Sequence, residues 1–192
     1  MIAIVKYNAG NTMSVDNALK RLGYDCIITD DAATLQAADK VLFPGVGHAA
    51  PAMAYLKERG LHEIIRSLTQ PVLGICLGMQ LMCSYTEEGS TDGIGIFDTE
   101  VLKFPPEDKV PHMGWNSLQC LENVFLRDAC HEKDMYFVHS YYAELCEYTT
   151  GVTDYILPFS AALQKNNFYA VQFHPEKSGS AGEQLLKNFL AL

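Results

Sequence analysis

The sequence is short of positive charge. Fourteen Lys and Arg stand against 23 Asp and Glu, a net charge of −9, with an isoelectric point near 5.0. No basic excess is available to neutralise phosphates, which argues against a nucleic-acid partner and against an anionic membrane surface. Long apolar runs are also missing, and none approaches the roughly 18 residues of a membrane-spanning helix. The opening Met1-Ile2-Ala3-Ile4-Val5 has no basic flank and no small-residue cleavage site. It is expected to be a buried strand rather than a secretion signal, and the protein to be cytoplasmic. Six cysteines, at 26, 76, 83, 120, 130 and 146, form no C-x-x-C pair and no compact ligand spacing. They are expected to be reduced thiols, with no metal site. There is no phosphate-binding P-loop, since Gly93-Ile94-Gly95 offers only a weak G-x-G, and there is no repeat or low-complexity linker.

What is present suffices for a core. The chain has 192 residues, 48% of them hydrophobic, and at roughly 150 residues per domain it is expected to form one domain over 1–192. Ile2 to Tyr7, Cys26 to Ile28, Val41 to Phe43 and Val72 to Ile75 read as buried strands. Between them lie helical patterns: one begins at Thr12 as its cap and stops at Gly23, the others run from His48 to Leu56 and Leu61 to Leu68. A further helix starts around Met79. Strands apolar on both faces, alternating with helices, predict an α/β fold: an open, largely parallel twisted sheet with helices on both faces. The second half, punctuated by Gly89 to Gly95, Pro105-Pro106 and Pro111, is expected to extend the sheet with antiparallel strands. Tyr136 to Val138 and Phe168 to Phe173 are its clearest strands, and a helix from about Ser180 to Leu192 closes the chain.

Three segments carry chemistry. Gly74-Ile75-Cys76-Leu77-Gly78, at a strand end with a helix following at once, has the pattern of a nucleophile elbow. Crowding at so sharp a turn gives a steric reason for glycine two residues either side of Cys76. The helix N-terminus favours a thiolate there, and the Leu77 N–H is placed to donate to a developing oxyanion. A thiol nucleophile needs a base and the base an orienting group. Gln172-Phe173-His174-Pro175-Glu176 offers both: two residues apart in extended chain, His174 and Glu176 project to the same side. In Pro44-Gly45-Val46-Gly47-His48, Val46 stands between two glycines, so its peptide can expose or turn an N–H, a second oxyanion donor. Each feature alone has a plainer reading, as a core thiol, a strand-end histidine or an ordinary turn. Their occurrence together favours catalysis.

These residues resemble the class I glutamine amidotransferase family through Gly74-Ile-Cys-Leu-Gly-Met-Gln80 and His174-Pro-Glu176. Pro111-His-Met-Gly-Trp-Asn116 and Tyr136-Phe-Val-His-Ser-Tyr141 narrow the resemblance, which covers nearly the whole chain. They are similar to the family's glutaminase subunits that pass ammonia to a separate (β/α)8-barrel synthase subunit of the histidine pathway. The resemblance implies hydrolysis of L-glutamine, with Cys76 as nucleophile, His174 as proton relay and Glu176 as its orienter, and no cofactor. It implies Gly47, Leu77 and Val46 around the oxyanion, and Gln80, Glu88, Ser140 and Tyr141 at the amino-acid end of glutamine. Met113, Trp115, Asn116, Tyr136 and Lys177 match positions facing the synthase in a heterodimer. The family's Asp-Tyr-Gly turn after the first strand is here Lys6-Tyr7-Asn8, which puts nearby contacts in doubt and leaves the catalytic set intact. Two alternatives stay open at this point: a glutaminase for anthranilate, aminodeoxychorismate or guanylate synthesis, and a non-catalytic regulatory subunit of the same fold.

Overall fold

The computed structural model describes residues 1–121, 124–129 and 133–192. Its first half is the expected strand–helix alternation: β1 (Ile2–Val5), α1 (Thr12–Arg21), β2 (Cys26–Thr29), α2 (Ala32–Ala37), β3 (Lys40–Gly45), α3 (Ala49–Glu58), α4 (Leu61–Ser67), β4 (Val72–Cys76) and α5 (Leu77–Met82). Then come β5 (Cys83–Thr86), β6 (Thr91–Asp92), β7 (Phe97–Lys103), β8 (His112–Ser117), β9 (Gln119–Cys120), β10 (Asp134–His139) and β11 (Tyr141–Ala143). The chain closes with β12 (Thr149–Tyr155), β13 (Leu157–Lys165), β14 (Phe168–Val171), a short 3₁₀ turn at Pro175–Lys177 and α6 (Gly179–Ala191).

Among the described residues the main sheet runs β2-β1-β3-β4-β14-β13-β11-β7-β5-β6, with β12 and β9 branching from β13. From β2 to β14 every pairing is parallel, and β13, β11 and β7 continue it antiparallel. Alternation along each strand feeds two cores. Ala3, Val5, Val41 and Phe43 pack with Leu35, Met53, Leu56 and Ile65 of α2, α3 and α4. Ile2, Ile4, Leu42 and Leu73 pack with Val15 and Leu19 of α1 and with Leu185, Leu186 and Phe189 of α6. Burying both faces is what a parallel sheet requires.

Several expectations need correction. Cys26–Thr29 is an edge strand rather than a buried one, and Ile27 is 45% exposed. Asn11, not Thr12, occupies the N-cap of α1, in a left-handed conformation (φ 81°), with no side-chain cap bond. The helix placed at Met79 begins at Leu77 and ends after six residues, because the chain turns into β5. Cys26, Cys76, Cys83 and Cys146 are free thiols, but Cys120 is disulfide-bonded; Cys130 lies outside the described residues. Chain spacing cannot reveal such a bridge, which needs only two β-carbons about 4 Å apart in space.

Candidate active site

The end of β4 builds the elbow. Cys76 has φ 53° and ψ −109°, a strained conformation for a residue with a side chain. Its neighbours explain the glycines. A Cβ at Gly78 would collide with the Phe43 carbonyl, and one at Gly74 would lie 2.5 Å from the Met82 sulfur and 3.1 Å from the Met79 nitrogen. Across the β3–β4 register Gly45 faces Cys76, where a Cβ would strike the Tyr7 hydroxyl. The backbones of β3, β4 and α5 therefore approach closely enough to lift the thiol out of the sheet edge.

His174 follows β14, the strand beside β4. Its Nδ1 lies 2.8 Å from Glu176 Oε1, and both side chains are almost wholly buried. Asn11 Nδ2 donates to the same carboxylate oxygen at 2.6 Å, which is why the α1 N-cap side chain does no capping. Burial opposes the charged imidazolium, but Cys76 and Glu176 outweigh it and raise His174 to about 10. Burial also works against the Glu176 carboxylate, yet the His174 and Asn11 hydrogen bonds hold its pKa below the usual range. Nε2 of His174 makes no hydrogen bond to the described residues. The loop is held from beneath: His174 N–H donates to the Tyr136 carbonyl at 2.9 Å, Tyr136 N–H donates to Ser178 Oγ, and Ser178 Oγ donates to the His174 carbonyl.

Cys76 opens on a cavity of about 320 Å³ lined by Val46, Gly47, Leu77, Gln80, Glu88 and the run Val138 to Tyr141, with Pro111 at its rim. That is the small end of the ligand-pocket range. All three oxyanion residues and all four substrate residues named from the sequence line it. Gly47 has φ 122°, which only glycine adopts freely, and Val46 is 37% exposed. Glu88 is committed as well as available: Oε2 accepts the Ala49 N–H at 2.8 Å, capping α3, and Oε1 lies 3.2 Å from His48 Nδ1. Gln80 donates both amide protons inward, to the Tyr141 carbonyl at 3.0 Å and to Gln172 Oε1 at 2.9 Å. Gln172 in turn donates from Nε2 to Cys76 Sγ at 3.6 Å.

On the same side, β8 and β10 form a separate two-stranded ribbon pairing Trp115 with Tyr136 and Met113 with Val138. Met113 and Trp115 are 59% and 57% exposed, and Lys177 is exposed beside the triad loop. Asn116 points the other way, donating to His112 Nε2 and to the Asp154 carbonyl. At the departing first turn, Asn8 donates to the Pro51 carbonyl of α3 at 3.0 Å. Sequence reasoning missed Asn11, Gln172 and the buried pair His112–His139. Gln172 was visible only as the first residue of the run Gln172-Phe173-His174-Pro175-Glu176, and Asn11 only as part of a turn.

An elbow thiol beside an acid-oriented histidine, opening on a cavity of about 320 Å³ at the end of a parallel sheet, defines a class of enzyme. The chain belongs to the class I glutamine amidotransferase family, whose model matches residues 3–192. Among curated proteins it is 59% identical, over all of this chain and 99% of the relative, to the imidazole glycerol phosphate synthase subunit HisH of Bacteroides fragilis strain YCH46. The HisH subunit of Pasteurella multocida strain Pm70 is 46% identical over 98% of this chain and 96% of its own length. Among solved structures, a glutamine amidotransferase aligns with TM-score 0.74 at 17% identity, covering 100% of this chain and 98% of that one. The glutaminase domain of Trypanosoma brucei CTPS aligns with TM-score 0.65 at 18% identity, covering 99% and 93%. At such identity these two speak for the fold alone.

Proposed function

We propose that this chain is the glutaminase subunit of an imidazole glycerol phosphate synthase, acting in the cytoplasm as one domain over residues 1–192. The observation that carries the reading is Cys76 at a strained elbow, opening on the cavity, with His174 and Glu176 paired beside it. The full-length likeness to HisH subunits supports the choice of pathway.

In this reading Glu88 and the Ser140–Tyr141 backbone hold the ammonium and carboxylate of L-glutamine, aiming its amide at Cys76. Gln80 supports them from behind. The Cys76 thiolate attacks the amide carbon, and the Leu77 N–H and the Val46–Gly47 peptide stabilise the oxyanion. As the tetrahedral intermediate collapses, imidazolium His174 gives its Nε2 proton to the departing nitrogen, and ammonia leaves a thioester. Neutral His174 then takes a proton from water, hydroxide adds to the thioester carbon, and glutamate departs as the thiolate returns. Glu176 keeps Nδ1 protonated throughout.

Ammonia passes to a (β/α)8-barrel synthase subunit, which makes imidazole glycerol phosphate and aminoimidazole carboxamide ribonucleotide. The exposed Met113, Trp115 and Lys177, with Tyr136 beneath them, form the docking face, and Asn116 shapes it from the reverse side of β8. The Val46 peptide turns to its productive state when the loaded partner binds. The test is glutamate release from the chain alone, with the barrel subunit, and with that subunit plus its nucleotide ligand. Release is expected to be slow alone and fast with the loaded complex. Release that persists in Cys76→Ala would overturn the catalytic assignment.

A further inference from the structure

The polar atoms behind Cys76 form a chain whose every direction is fixed. It is anchored at the Tyr141 carbonyl, which can only accept. His139 Nδ1 lies 2.7 Å from that oxygen and therefore carries the proton. Its Nε2, 3.0 Å from His112 Nδ1, is then the acceptor, and His112 Nε2 accepts from the Asn116 amide. Burial holds both rings neutral, His112 at about 4 and His139 at about 3. Gln80 must likewise turn its NH2 toward the Tyr141 carbonyl, and its second proton goes to Gln172 Oε1. Gln172 therefore has its carbonyl oxygen occupied and its NH2 turned to the sulfur. The side chain is wholly buried, and reversing the amide would set its NH2 against the Gln80 donor and its carbonyl oxygen against the sulfur.

We infer that Gln172 is a positioning residue for the nucleophile, holding an N–H donor on Cys76 Sγ that favours the thiolate over the thiol and aims its lone pair at the substrate. A donor stabilises the charged acceptor far more than the neutral one. The inference rests on the glutaminase reading, because it assigns the donor a role in that reaction. It adds a second source of thiolate stabilisation to His174, from the residue that directly follows β14, two positions before the histidine. The titratable groups that act on the sulfur are His174 on the triad loop and Tyr7 after β1, and Glu88, His139 and Tyr141 line the cavity on which it opens.

The test is alkylation of the full chain by iodoacetamide across a pH series, read by mass spectrometry on the peptide carrying Cys76, in parent and Gln172→Met. The variant keeps the volume and loses the donor. The pH of half-maximal alkylation is expected to rise by about one unit, which is about a tenfold loss of thiolate at a fixed pH below it. In the loaded complex kcat should fall about tenfold with KM unchanged, and the deficit should close when the assay pH is raised by about one unit. A merely structural role would not make the loss reversible by pH. If Gln172→Met does not fold, Gln80→Met carries the test. It frees the Gln172 amide to turn and should move the alkylation profile in the same direction. A folded variant whose profile superimposes on the parent's overturns the inference. A parent complex that alkylates at Cys76 but releases no glutamate would instead sink the glutaminase reading, so the two failures are distinguishable.

Discussion

At the scale of single residues, the site is a set of groups made unusual by what surrounds them. Replacing Cys76 by Ala leaves no nucleophile, and glutamate release should fall by about 10³-fold or more. The same variant removes a group that raises His174, so the imidazole should titrate below about 10, which NMR of the ring protons would show. Glu176→Gln keeps the shape and loses the charge, and kcat should drop by about 10²- to 10⁴-fold. The pair also predicts how stability follows pH. His174, raised to about 10, contributes stability that is complete below its unfolded value of about 6.5 and lost as pH rises through the folded one. Glu176, lowered, contributes stability present above the unfolded carboxylate value of about 4.3 and lost on acidification. The Tm gap between parent and Glu176→Gln should therefore be widest near pH 5 to 6.5 and narrow on either side. Cys76, His174 and Glu176 were legible because turn chemistry marks them in one dimension. Asn11 was not, because its partner Glu176 lies 165 residues away. Gln172 was hidden for a different reason: its meaning comes from which way an amide points, and only the Gln80 and Tyr141 partners decide that.

At the scale of elements, close backbone approach governs the site. A Cβ on Gly78 would meet the Phe43 carbonyl, and one on Gly182 in α6 the Pro175 carbonyl. The second contact is a seat for the triad loop, since Pro175 lies between His174 and Glu176. Gly182→Ala should cost about 1–3 kcal/mol, a fall in Tm of several degrees for a domain this size. It should lower kcat as well, because the atom it pushes is in the loop that holds the base. Gly95→Ala is the natural contrast: no atom lies within 4 Å of a Cβ there, though φ is +71°. It should cost only backbone strain and leave kcat alone. The parallel half of the sheet was readable because each strand must be apolar on both faces. What escaped was α2, a single buried leucine on six residues, and the early end of α5. Both are too short for periodicity to outweigh the local noise of composition.

At the scale of the whole molecule, the exposed apolar pair Met113 and Trp115 sits on a ribbon outside the main sheet, beside the cavity mouth. Trp115→Ala should weaken association with the proposed synthase subunit by about tenfold or more, measured by titration calorimetry, with the Tm of the isolated chain nearly unchanged. The sequence marked this tryptophan but could not choose between anchor and core, and its 57% exposure removes it from the core. The ribbon is also bound to the chemistry. Tyr136 spends both of its backbone polar groups on the triad loop, its carbonyl on the His174 N–H and its N–H on Ser178 Oγ. Neither bond can open without the other moving, so the amide protons of Tyr136 and His174 belong to one opening event. In deuterated solvent they should exchange on a single clock, and a partner that clamps the ribbon should slow both by the same factor.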